Sequence, residues 1–421
     1  MLGGWIRRVG FWTLDALRGG KNRKCYKTIQ NNYGTIQTRA VEEILEYAAQ
    51  HVSAYKDYVG KALWDFPVVN KQYIRQKGAE EFLSDEISSM NLHEVFTSGS
   101  TGTPFKVVQD ENKRRHVVCD LLHAHEKIGW HLGDKYVFIR NWVSNYKQSK
   151  IKSFFQNVHN VNITGFDDEQ KMQLIQYLSK HKKVVVFGYA SAISEFAIFA
   201  QKNNVNLLDF KVKLVVCDSD ELTSHTRGML EKAFGCSVIN RYDNEENGLL
   251  GISRAGEDKI YLNTAGLYFE LLAIDSDSPV KPGTVGRIVV TDLFNHAMPL
   301  IRYDLGDLGI SSDEGSGIKT LDCLAGRTAG SLTNVEGRLV SNVSISGAME
   351  IFSRMERYQI CQEKNHRYTV SYTGFLSDEE LMELRKRMQA CFGISADIFI
   401  NRLDEIPVGA NGKFKTTINN T

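Results

Sequence analysis

The chain has 421 residues, of which 42% are hydrophobic and 24% charged, so it can bury a large core and is expected to divide into two or more domains. Its net charge of +1 gives no reason to expect nucleic acid as a partner. Seven cysteines without a Cys-x-x-Cys pair predict reduced thiols in a cytoplasmic protein, rather than a disulfide framework or a zinc site.

The first 24 residues combine large apolar side chains with six basic residues and a single acid, Asp15. They contain neither an apolar run of the ~20 residues that span a membrane nor a small-residue cleavage site, so we expect no anchor helix and no signal peptide. Peripheral association of residues 1–24 with the inner face of the membrane, through an interfacial helix, is one interpretation. We favour packing on the protein's own core, because the apolar positions do not form one clean stripe.

Residues 97–106, with the sequence Thr-Ser-Gly-Ser-Thr-Gly-Thr-Pro-Phe-Lys, form the most distinctive stretch. An amphipathic helix from about Arg39 precedes it, and strand-like runs at 94–96 and 105–108 flank it, which predicts a turn between two strands. Its hydroxyl groups and glycine amides could surround a polyphosphate, although an ordinary Ser/Gly surface turn has the same composition. It is not a Walker loop, because Lys106 follows a proline within a strand pattern instead of opening a helix.

Strands and helices alternate after this loop. Because the strands are apolar throughout and are separated by helices, they predict a largely parallel sheet that is covered on both faces. Ligands gather at the carboxyl ends of the strands in such sheets. The predicted helices are 111–128, 169–178, 190–201 and 223–234, and the predicted strands are 136–139, 184–187, 213–217 and 237–239.

The last of these strands leads into residues 240–248, Asn-Arg-Tyr-Asp-Asn-Glu-Glu-Asn-Gly, which as a sequence alone could also be a solvated acidic turn. Closely spaced strands follow and predict an antiparallel or barrel-like subdomain. The remainder of the chain is predicted to be mixed α/β. The predicted elements of these two regions are the strands 267–274, 286–291, 300–303 and 396–401 and the helix 377–391.

Two further motifs complete the pattern. Residues 298–308, Met-Pro-Leu-Ile-Arg-Tyr-Asp-Leu-Gly-Asp-Leu, contain a Gly-Asp pair whose carboxylate, that of Asp307, could accept two hydrogen bonds from a vicinal diol. Residues 406–415, Ile-Pro-Val-Gly-Ala-Asn-Gly-Lys-Phe-Lys, place Lys413 in a Gly-Lys pair near the end of the chain. By itself such an aspartate is usually a turn former, and such a lysine is usually a solvated charge.

In this order, the four motifs resemble those of the acyl-adenylate-forming superfamily. The resemblance is to its phenylacetate-CoA ligase branch, which includes short relatives associated with bacterial capsular polysaccharide synthesis. It implies an α/β fold with a large N-terminal domain, residues 1–325, that contains mostly parallel sheets plus a barrel-like β subdomain. Residues 326–421 would form a small mobile α+β lid domain.

The resemblance also implies roles for individual residues. Tyr242 would pack near the adenine of ATP, Glu246 would hold a magnesium ion that bridges the phosphates, and Asp307 would bind the ribose hydroxyls. Arg327 would meet the ribose or the α-phosphate, and Lys413 would stabilise the charge that develops during adenylation. The residues implied to hold the ATP phosphates are Thr97, Ser98, Ser100, Thr101, Gly102 and Lys106.

The chain departs from the family pattern at several positions. Asp243 and Glu245 stand where the family has glycine and threonine, and Ala329 and Gly330 stand where two acidic residues usually follow the arginine, the first of them acting as the hinge. In addition, Lys415 lies two residues after Lys413 and would point to the same side of a strand, so it is an alternative for the catalytic lysine.

The activity implied is that of a carboxylate-activating ligase. A carboxylic acid would react with Mg-ATP to give an acyl-adenylate and pyrophosphate, and a thiol, amine or hydroxyl would then capture the acyl group. Coenzyme A is the usual acceptor in the family. Two alternatives stay open: direct acyl transfer to a sugar or amino sugar during polysaccharide assembly, and a non-catalytic member that binds nucleotide. The identity of the acid leaves no linear signature, because acyl pockets are built from scattered apolar residues.

Overall fold

A computed structural model of the chain describes residues 2–97, 105–140, 150–163, 166–315, 317–327, 332–340, 342–349, 351–407 and 414–421. The chain divides into two compact units. The first unit contains Met1–Gly133 and Arg241–Leu324, and the second contains Asp134–Asn240 and Ala325–Thr421. The chain therefore passes from the first unit to the second, returns to the first, and ends in the second.

Eleven α-helices, α1 to α11, occur in the described ranges. In chain order they are Leu2–Leu17, Lys21–Asn32, Thr38–His51, Lys71–Lys77, Glu111–Lys127, Lys150–Gln156, Asp168–Lys180, Ala190–Lys202, Ser224–Phe234, Asn342–Met349 and Asp378–Phe392. None of them, within the part of the chain that is described, is long and apolar enough to cross a membrane.

Twenty strands, β1 to β20, occur in the same ranges. In chain order they are Leu92–Phe96, Lys106–Asp110, Tyr136–Arg140, Val158–Asn162, Val185–Tyr189, Leu214–Asp218, Val238–Asn244, Gly248–Ser253, Ile260–Leu262, Leu267–Leu272, Val285–Asp292, Tyr303–Ile310, Thr320–Leu321, Cys323–Arg327, Leu332–Thr333, Leu339–Val340, Met355–Glu363, Arg367–Gly374, Asp397–Arg402 and Thr417–Asn419.

The alternation of helices and strands predicted for the middle of the chain is confirmed in the second unit. Strands β4, β3, β5 and β6 lie side by side in that order and are all parallel. Every residue of β5 and β6 is buried, because helices α7, α8 and α9 contribute apolar side chains to the same core. The prediction of a covered parallel sheet, made from the uniformly apolar sequences of its strands, is therefore confirmed.

The end of the chain forms a separate α+β layer within the second unit. Strands β17 and β18 are antiparallel, and β20 and β19 add to their outer edges in parallel. Helix α11 begins after Ser377, whose side chain accepts a hydrogen bond from Glu380 N while the Glu380 carboxylate accepts one from Ser377 N. This reciprocal capping explains why the helix was predictable to within one residue.

The first unit contains the predicted antiparallel strands β10, β11 and β12. The prediction of a strand at 300–303 was wrong, because β12 begins only at Tyr303. The preceding Arg302 has a φ of 46°, in the left-handed region, so the backbone turns there and the ladder cannot include residues 300–302. As a result, Asp307 lies inside β12 and not in a turn after it.

The conformation of Arg302 is held by a buried ion pair. Its guanidinium contacts both oxygens of Glu270 at 2.9–3.2 Å and donates to the carbonyl oxygens of Trp64 and Phe66 at 3.3 and 3.1 Å. Both charged side chains are about 95% removed from solvent, at 5% and 4% exposure. The guanidinium therefore joins strand β10 to the segment that leads into helix α4.

Helix α1 meets the preference for packing on the protein's own core only in part. Phe11 and Trp12 are half-buried, but five other apolar side chains are exposed to solvent. These are Trp5, Ile6, Val9, Leu14 and Leu17, with exposures of 63, 55, 41, 48 and 81%. The sequence did not reveal this exposure. The spacing of apolar residues along a helix is the same whether the apolar face packs against a core or faces water.

We expect Glu270→Gln to destabilise the protein by about 3–5 kcal/mol, because it leaves the buried Arg302 cation without its counter-charge. Urea unfolding followed by circular dichroism would measure the loss. The matched control is Glu43→Gln, which removes a solvent-exposed ion pair with Arg39. This change should lower the free energy of unfolding by less than about 1 kcal/mol. Equal losses in the two variants would contradict the structural role of the Arg302–Glu270 pair.

Candidate active site

The Ser/Gly-rich stretch connects two paired strands, as predicted. Strands β1 and β2 are antiparallel, with Phe96 opposite Lys106 at the end nearest the loop. Ser98, Ser100, Thr101 and Gly102 lie outside the described residues. Their assignment to the phosphates stays a prediction, and only the two flanking residues, Thr97 and Lys106, can be described.

Thr97 closes the base of the loop. Its backbone N donates to Phe105 O at 3.0 Å, and its side-chain hydroxyl accepts from Phe105 N at 3.3 Å. Lys106, in contrast, forms an exposed ion pair with Glu94 at 3.1 Å, with half of each side chain in solvent. Such a surface pair contributes little to stability, so Lys106 can turn toward a bound anion at small cost.

The far end of strand β2 is tied to the segment that precedes the 298–308 motif. The carboxylate of Asp110 caps helix α5 by accepting from Lys113 N at 2.7 Å, and it also accepts from His296 N at 2.9 Å. The Asn295 side-chain amide donates to Val108 O and Met298 O, both at 3.0 Å. These bonds hold the base of the predicted phosphate loop at a fixed position relative to that motif.

The predicted adenine and magnesium motif is a β-hairpin. Strand β7 was expected to end at Ile239 but continues through Tyr242 to Asn244, and then pairs with β8 in antiparallel register. The Asn244 side chain accepts from Asn247 N at 2.7 Å and closes the turn, which is a standard role of asparagine. The motif is thus a tight turn with Glu246 near its tip.

Glu246 is 3% exposed and makes two contacts through one carboxylate oxygen. Its Oε1 lies 2.7 Å from Lys71 Nζ and accepts from the Tyr303 hydroxyl at 3.1 Å. Its backbone oxygen accepts from the Gln109 side chain at 2.9 Å, which links it to strand β2. Burial and the adjacent Glu246 carboxylate raise the pKa of Tyr303 well above its ordinary value, so the hydroxyl remains a donor.

Lys71 and Tyr303 are site residues that the sequence reasoning missed. Lys71 is the first residue of helix α4, after the cap Asn70, and no motif distinguishes it from a surface lysine. Tyr303 belongs to the 298–308 motif. Its position in the motif, just before the two aspartates of β12, was the sequence feature that could have identified it as a site residue. Only the folded chain brings both residues to the same carboxylate oxygen.

Tyr242 and Asp307, predicted to face the adenine and the ribose, lie in direct contact. The Tyr242 hydroxyl donates to Asp307 Oδ2 at 2.7 Å. Asp307 lies in a β-bulge. Arg287 pairs with Leu308 and Val289 pairs with Asp304, so three residues of β12 lie opposite one residue of β11. A bulge of this kind re-aims a side chain out of the regular ladder. The structure thus brings together two side chains expected to bind adjacent parts of one nucleotide.

The structure does not describe the side chains of the two remaining predicted residues, Arg327 and Lys413. Arg327 is the last residue of β14, and its side chain lies outside the described part of the structure. Lys413 also lies outside the described residues, as do Ala329 and Gly330. The neighbouring Lys415 is described and exposed, and its backbone oxygen accepts from the Gln359 side chain at 2.8 Å. The choice between the two lysines stays open.

The described residues contain no cluster of three or more histidine, cysteine or acidic side chains that could hold a metal by itself. A magnesium ion bound to ATP needs only one or two protein carboxylates, since phosphate oxygens and water complete its octahedron. Glu246 fits this requirement, because its side-chain contacts to the described residues are made through Oε1, and Oε2 can bind the ion.

Comparisons with known sequences point in the same direction. Residues 332–420 match the family described as the CapK C-terminal domain. The chain is 23% identical to protein CapK of Staphylococcus aureus over 415 residues, which cover 93% of this chain and 90% of the relative. It is 24% identical to the phenylacetate-coenzyme A ligase of Thermus thermophilus over 227 residues, 52% of this chain and 49% of that enzyme.

Solved structures with the same fold include two CoA ligases. The chain matches 2-hydroxyisobutyryl-CoA ligase, solved in the postadenylation state in complex with an acyl-AMP, with a TM-score of 0.68 and 16% identity over 96% of this chain and 90% of that one. It matches the anthranilate CoA ligase AuaEII, in complex with anthranoyl-AMP, with a TM-score of 0.55 and 14% identity over 77% and 66%.

A third structure of this fold is ATP-bound MatB from Rhodopseudomonas palustris. The match has a TM-score of 0.54 and 14% identity over 76% of this chain and 66% of that one. The three matches confirm the predicted fold class of parallel sheets followed by a small α+β C-terminal layer. Together with the sequence comparisons, they confirm the resemblance to the acyl-adenylate-forming superfamily and its phenylacetate-CoA ligase branch.

Proposed function

We propose that this protein is an AMP-forming acid–thiol ligase, which activates a carboxylic acid with ATP and transfers the acyl group to coenzyme A. The observation that carries the proposal is the cluster in which Tyr242 contacts Asp307 and Tyr303 contacts Glu246. These residues come from two motifs that are distant in the sequence and that the resemblance assigned to one nucleotide. The seven cysteines are free thiols, which supports a cytoplasmic location.

Asp307 is proposed to accept hydrogen bonds from the ribose hydroxyls of ATP. A carboxylate has about four acceptor positions, so it can accept the Tyr242 hydroxyl and both ribose hydroxyls at the same time. The same bond restrains Asp307, and a restrained acceptor loses less conformational entropy when the nucleotide binds. Tyr242 would thereby contribute to nucleotide binding in two ways. Its ring would pack near the adenine, and its hydroxyl would hold Asp307, which binds the ribose.

Glu246 is proposed to hold the magnesium ion that arrives with ATP. The ion would neutralise part of the phosphate charge that opposes attack on the α-phosphate. Lys71 and Tyr303 orient the carboxylate from one side, so that its second oxygen points away from them. Lys71 is 41% exposed and can move from the carboxylate toward a phosphate oxygen when the nucleotide enters.

The lysine that completes adenylation is proposed to come from the C-terminal segment. The resemblance assigns this role to Lys413, within a lid domain of residues 326–421, and Lys106 would contribute a second positive charge from the phosphate loop. A cation positioned where negative charge develops stabilises the transition state more than the bound substrates. Adenylation then forms the bond between the carboxylate oxygen and the α-phosphorus and breaks the bond to pyrophosphate. In the second half-reaction a thiolate displaces AMP from the acyl carbon.

We further propose that the acyl group enters capsular or exopolysaccharide biosynthesis. Similarity to protein CapK along most of the chain supports this role. A second candidate activity stays open, in which the acyl group passes directly from the adenylate to a sugar or amino sugar. The two activities share the first half-reaction and differ only in the acceptor.

The proposed function is tested by pyrophosphate release with a panel of carboxylic acids, followed by analysis of the products with and without coenzyme A. We expect release that depends on one class of acid, and a thioester when coenzyme A is present. An ester or amide of an added sugar, formed without coenzyme A, would favour the second candidate. ATP binding without pyrophosphate release for any acid would indicate a non-catalytic nucleotide-binding protein.

We expect Asp307→Ala to weaken ATP binding, because each charge-assisted hydrogen bond to the ribose contributes about 1.5–3 kcal/mol at most. Calorimetric titration with ATP would measure the change, and Asp85→Ala, an exposed carboxylate distant in sequence from the motifs, is the control. The unmodified protein should also prefer ATP to its 2′,3′-dideoxy analogue. Equal affinities for the two nucleotides would refute the assignment of Asp307.

We expect the double variant Lys413→Ala/Lys415→Ala to adenylate about 10²-fold more slowly or worse, with ATP affinity little changed, because the cation acts mainly in the transition state. The two single variants identify which lysine is responsible. Pyrophosphate exchange with the preferred acid is the measurement, and Lys386→Ala, an exposed lysine on helix α11, is the control. Full exchange activity in the double variant would show that this segment carries no chemistry.

A further inference from the structure

Helix α1 is fixed to the first unit through one of its faces. Trp12 packs edge-to-face on Tyr26 with ring centroids 5.6 Å apart, and Arg8 pairs with Glu126 at 3.1 Å. Close approach at the start of the helix depends on Gly133, where an added Cβ would lie 2.3 Å from the Gly4 carbonyl oxygen. The helix therefore has one defined inner face and one defined outer face.

The outer face of α1 is apolar. At 100° per residue, the exposed side chains of Trp5, Ile6, Val9 and Leu17 fall within a sector of about 120°, which contains no charged residue. The exposures of these four side chains lie between 41 and 81%. We call these four residues the apolar face. Contiguous exposed apolar surface of this kind marks an interaction site more often than it marks ordinary surface.

A basic cluster follows the apolar face in the chain, from the C-terminal end of the helix onward. Residues 16–27 contain no acid, and their five basic side chains are all exposed. The only acid in α1, Asp15, is buried, and its carboxylate is used to cap helix α2 by accepting from Asn22 N and Arg23 N at 3.0 and 2.9 Å. The members of the basic cluster are Arg18, Lys21, Arg23, Lys24 and Lys27.

We propose that the apolar face and the basic cluster together bind an anionic membrane surface, with α1 lying in the plane of the interface. An exposed tryptophan, aliphatic side chains on one face and adjacent lysine and arginine residues are the combination that interfacial helices use. The basic cluster binds anionic lipid headgroups, and the apolar face enters the boundary between headgroups and acyl chains.

Charge argues against a second copy of this chain as the occupant. In a twofold-symmetric dimer the same surface lies on both partners, so the interface would contain two basic clusters of five like charges each, and neither cluster includes an acid. Like charges opposed at an interface disfavour association. An anionic lipid surface complements the cluster instead. The proposal does not depend on the ligase activity, since it involves no residue of the candidate active site.

The test uses the full-length protein and two kinds of vesicle, phosphatidylcholine alone and phosphatidylcholine mixed with phosphatidylglycerol, in a flotation assay. We expect the protein to float with the anionic vesicles at low salt and to be released as the ionic strength rises. The triple variant Trp5→Ser/Ile6→Ser/Leu17→Ser should lose this binding. Its matched control, Trp64→Ser/Val59→Ser, removes apolar side chains that are 53 and 63% exposed elsewhere in the first unit and should bind normally.

A second pair of variants tests the charges and does not alter the apolar face. Lys21→Gln/Arg23→Gln/Lys24→Gln is expected to weaken binding to anionic vesicles about 100-fold, since each cation near such a surface contributes roughly fivefold, equivalent to ~1 kcal/mol. Three exposed lysines in other places, changed as Lys56→Gln/Lys61→Gln/Lys202→Gln, give the control for net charge. Unchanged thermal unfolding midpoints would show that all four variants are folded.

Three results would overturn the proposal. The first is that the folded wild-type protein does not float with anionic vesicles, and the second is equal binding by the test and control variants. The third is self-association of the wild-type protein, measured by analytical ultracentrifugation, that the Trp5→Ser/Ile6→Ser/Leu17→Ser variant abolishes. That result would assign the apolar face to contact between copies of the chain.

Discussion

The candidate site depends on the buried pair between Arg302 and Glu270. A buried guanidinium without a counter-charge is costly, so the chain must bring Glu270 and the carbonyl oxygens of residues 64 and 66 to one point. The backbone turns at Arg302, and strand β12 starts at the next residue. The same turn bonds the segment before helix α4 to β12, because Val69 N donates to Arg302 O at 3.0 Å. Lys71 and Tyr303 therefore reach Glu246 from two elements that this pair holds together.

Each of the two carboxylates of the site has a phenol as a fixed partner. Tyr242 donates to Asp307 and Tyr303 donates to Glu246, and both tyrosines are at least 92% removed from solvent. An aromatic side chain has few rotatable bonds, so it orients an acceptor at small entropic cost. The lysines in contrast are partly exposed, with Lys71 at 41% and Lys106 at 50%. The arrangement combines two rigidly held carboxylates with cations that can move, as the proposed nucleotide site would require.

The charge distribution of the chain is as informative as its total. The net charge is only +1, yet residues 16–27 contain five basic side chains and no acid. Interaction of this cluster with a charged surface falls off within a Debye length, so a local concentration of charge has effects that the nearly neutral total hides. Because Asp15 is used inside the protein as a helix cap, the basic cluster is not neutralised by it.

The sequence by itself determined the features that depend on neighbouring residues. The strand–loop–strand unit around residues 97–106, the helices and parallel strands of the second unit, and the cap of helix α11 all follow from local patterns and turn chemistry. The order of the motifs also selected Tyr242, Glu246 and Asp307 as candidates that belong together. Two of these three proved to be in direct contact.

The tertiary structure decided what depends on residues far apart in the chain. The start of β12 was mispredicted because the turn at Arg302 is stabilised by Glu270 and by residues 64 and 66, which no local window contains. Lys71 is indistinguishable from a surface lysine until the fold places it 2.7 Å from Glu246. The outer face of α1 has the composition of a core-facing helix, and only its position in the fold exposes it. Periodicity records which residues share a face, whereas packing determines whether that face meets protein or solvent.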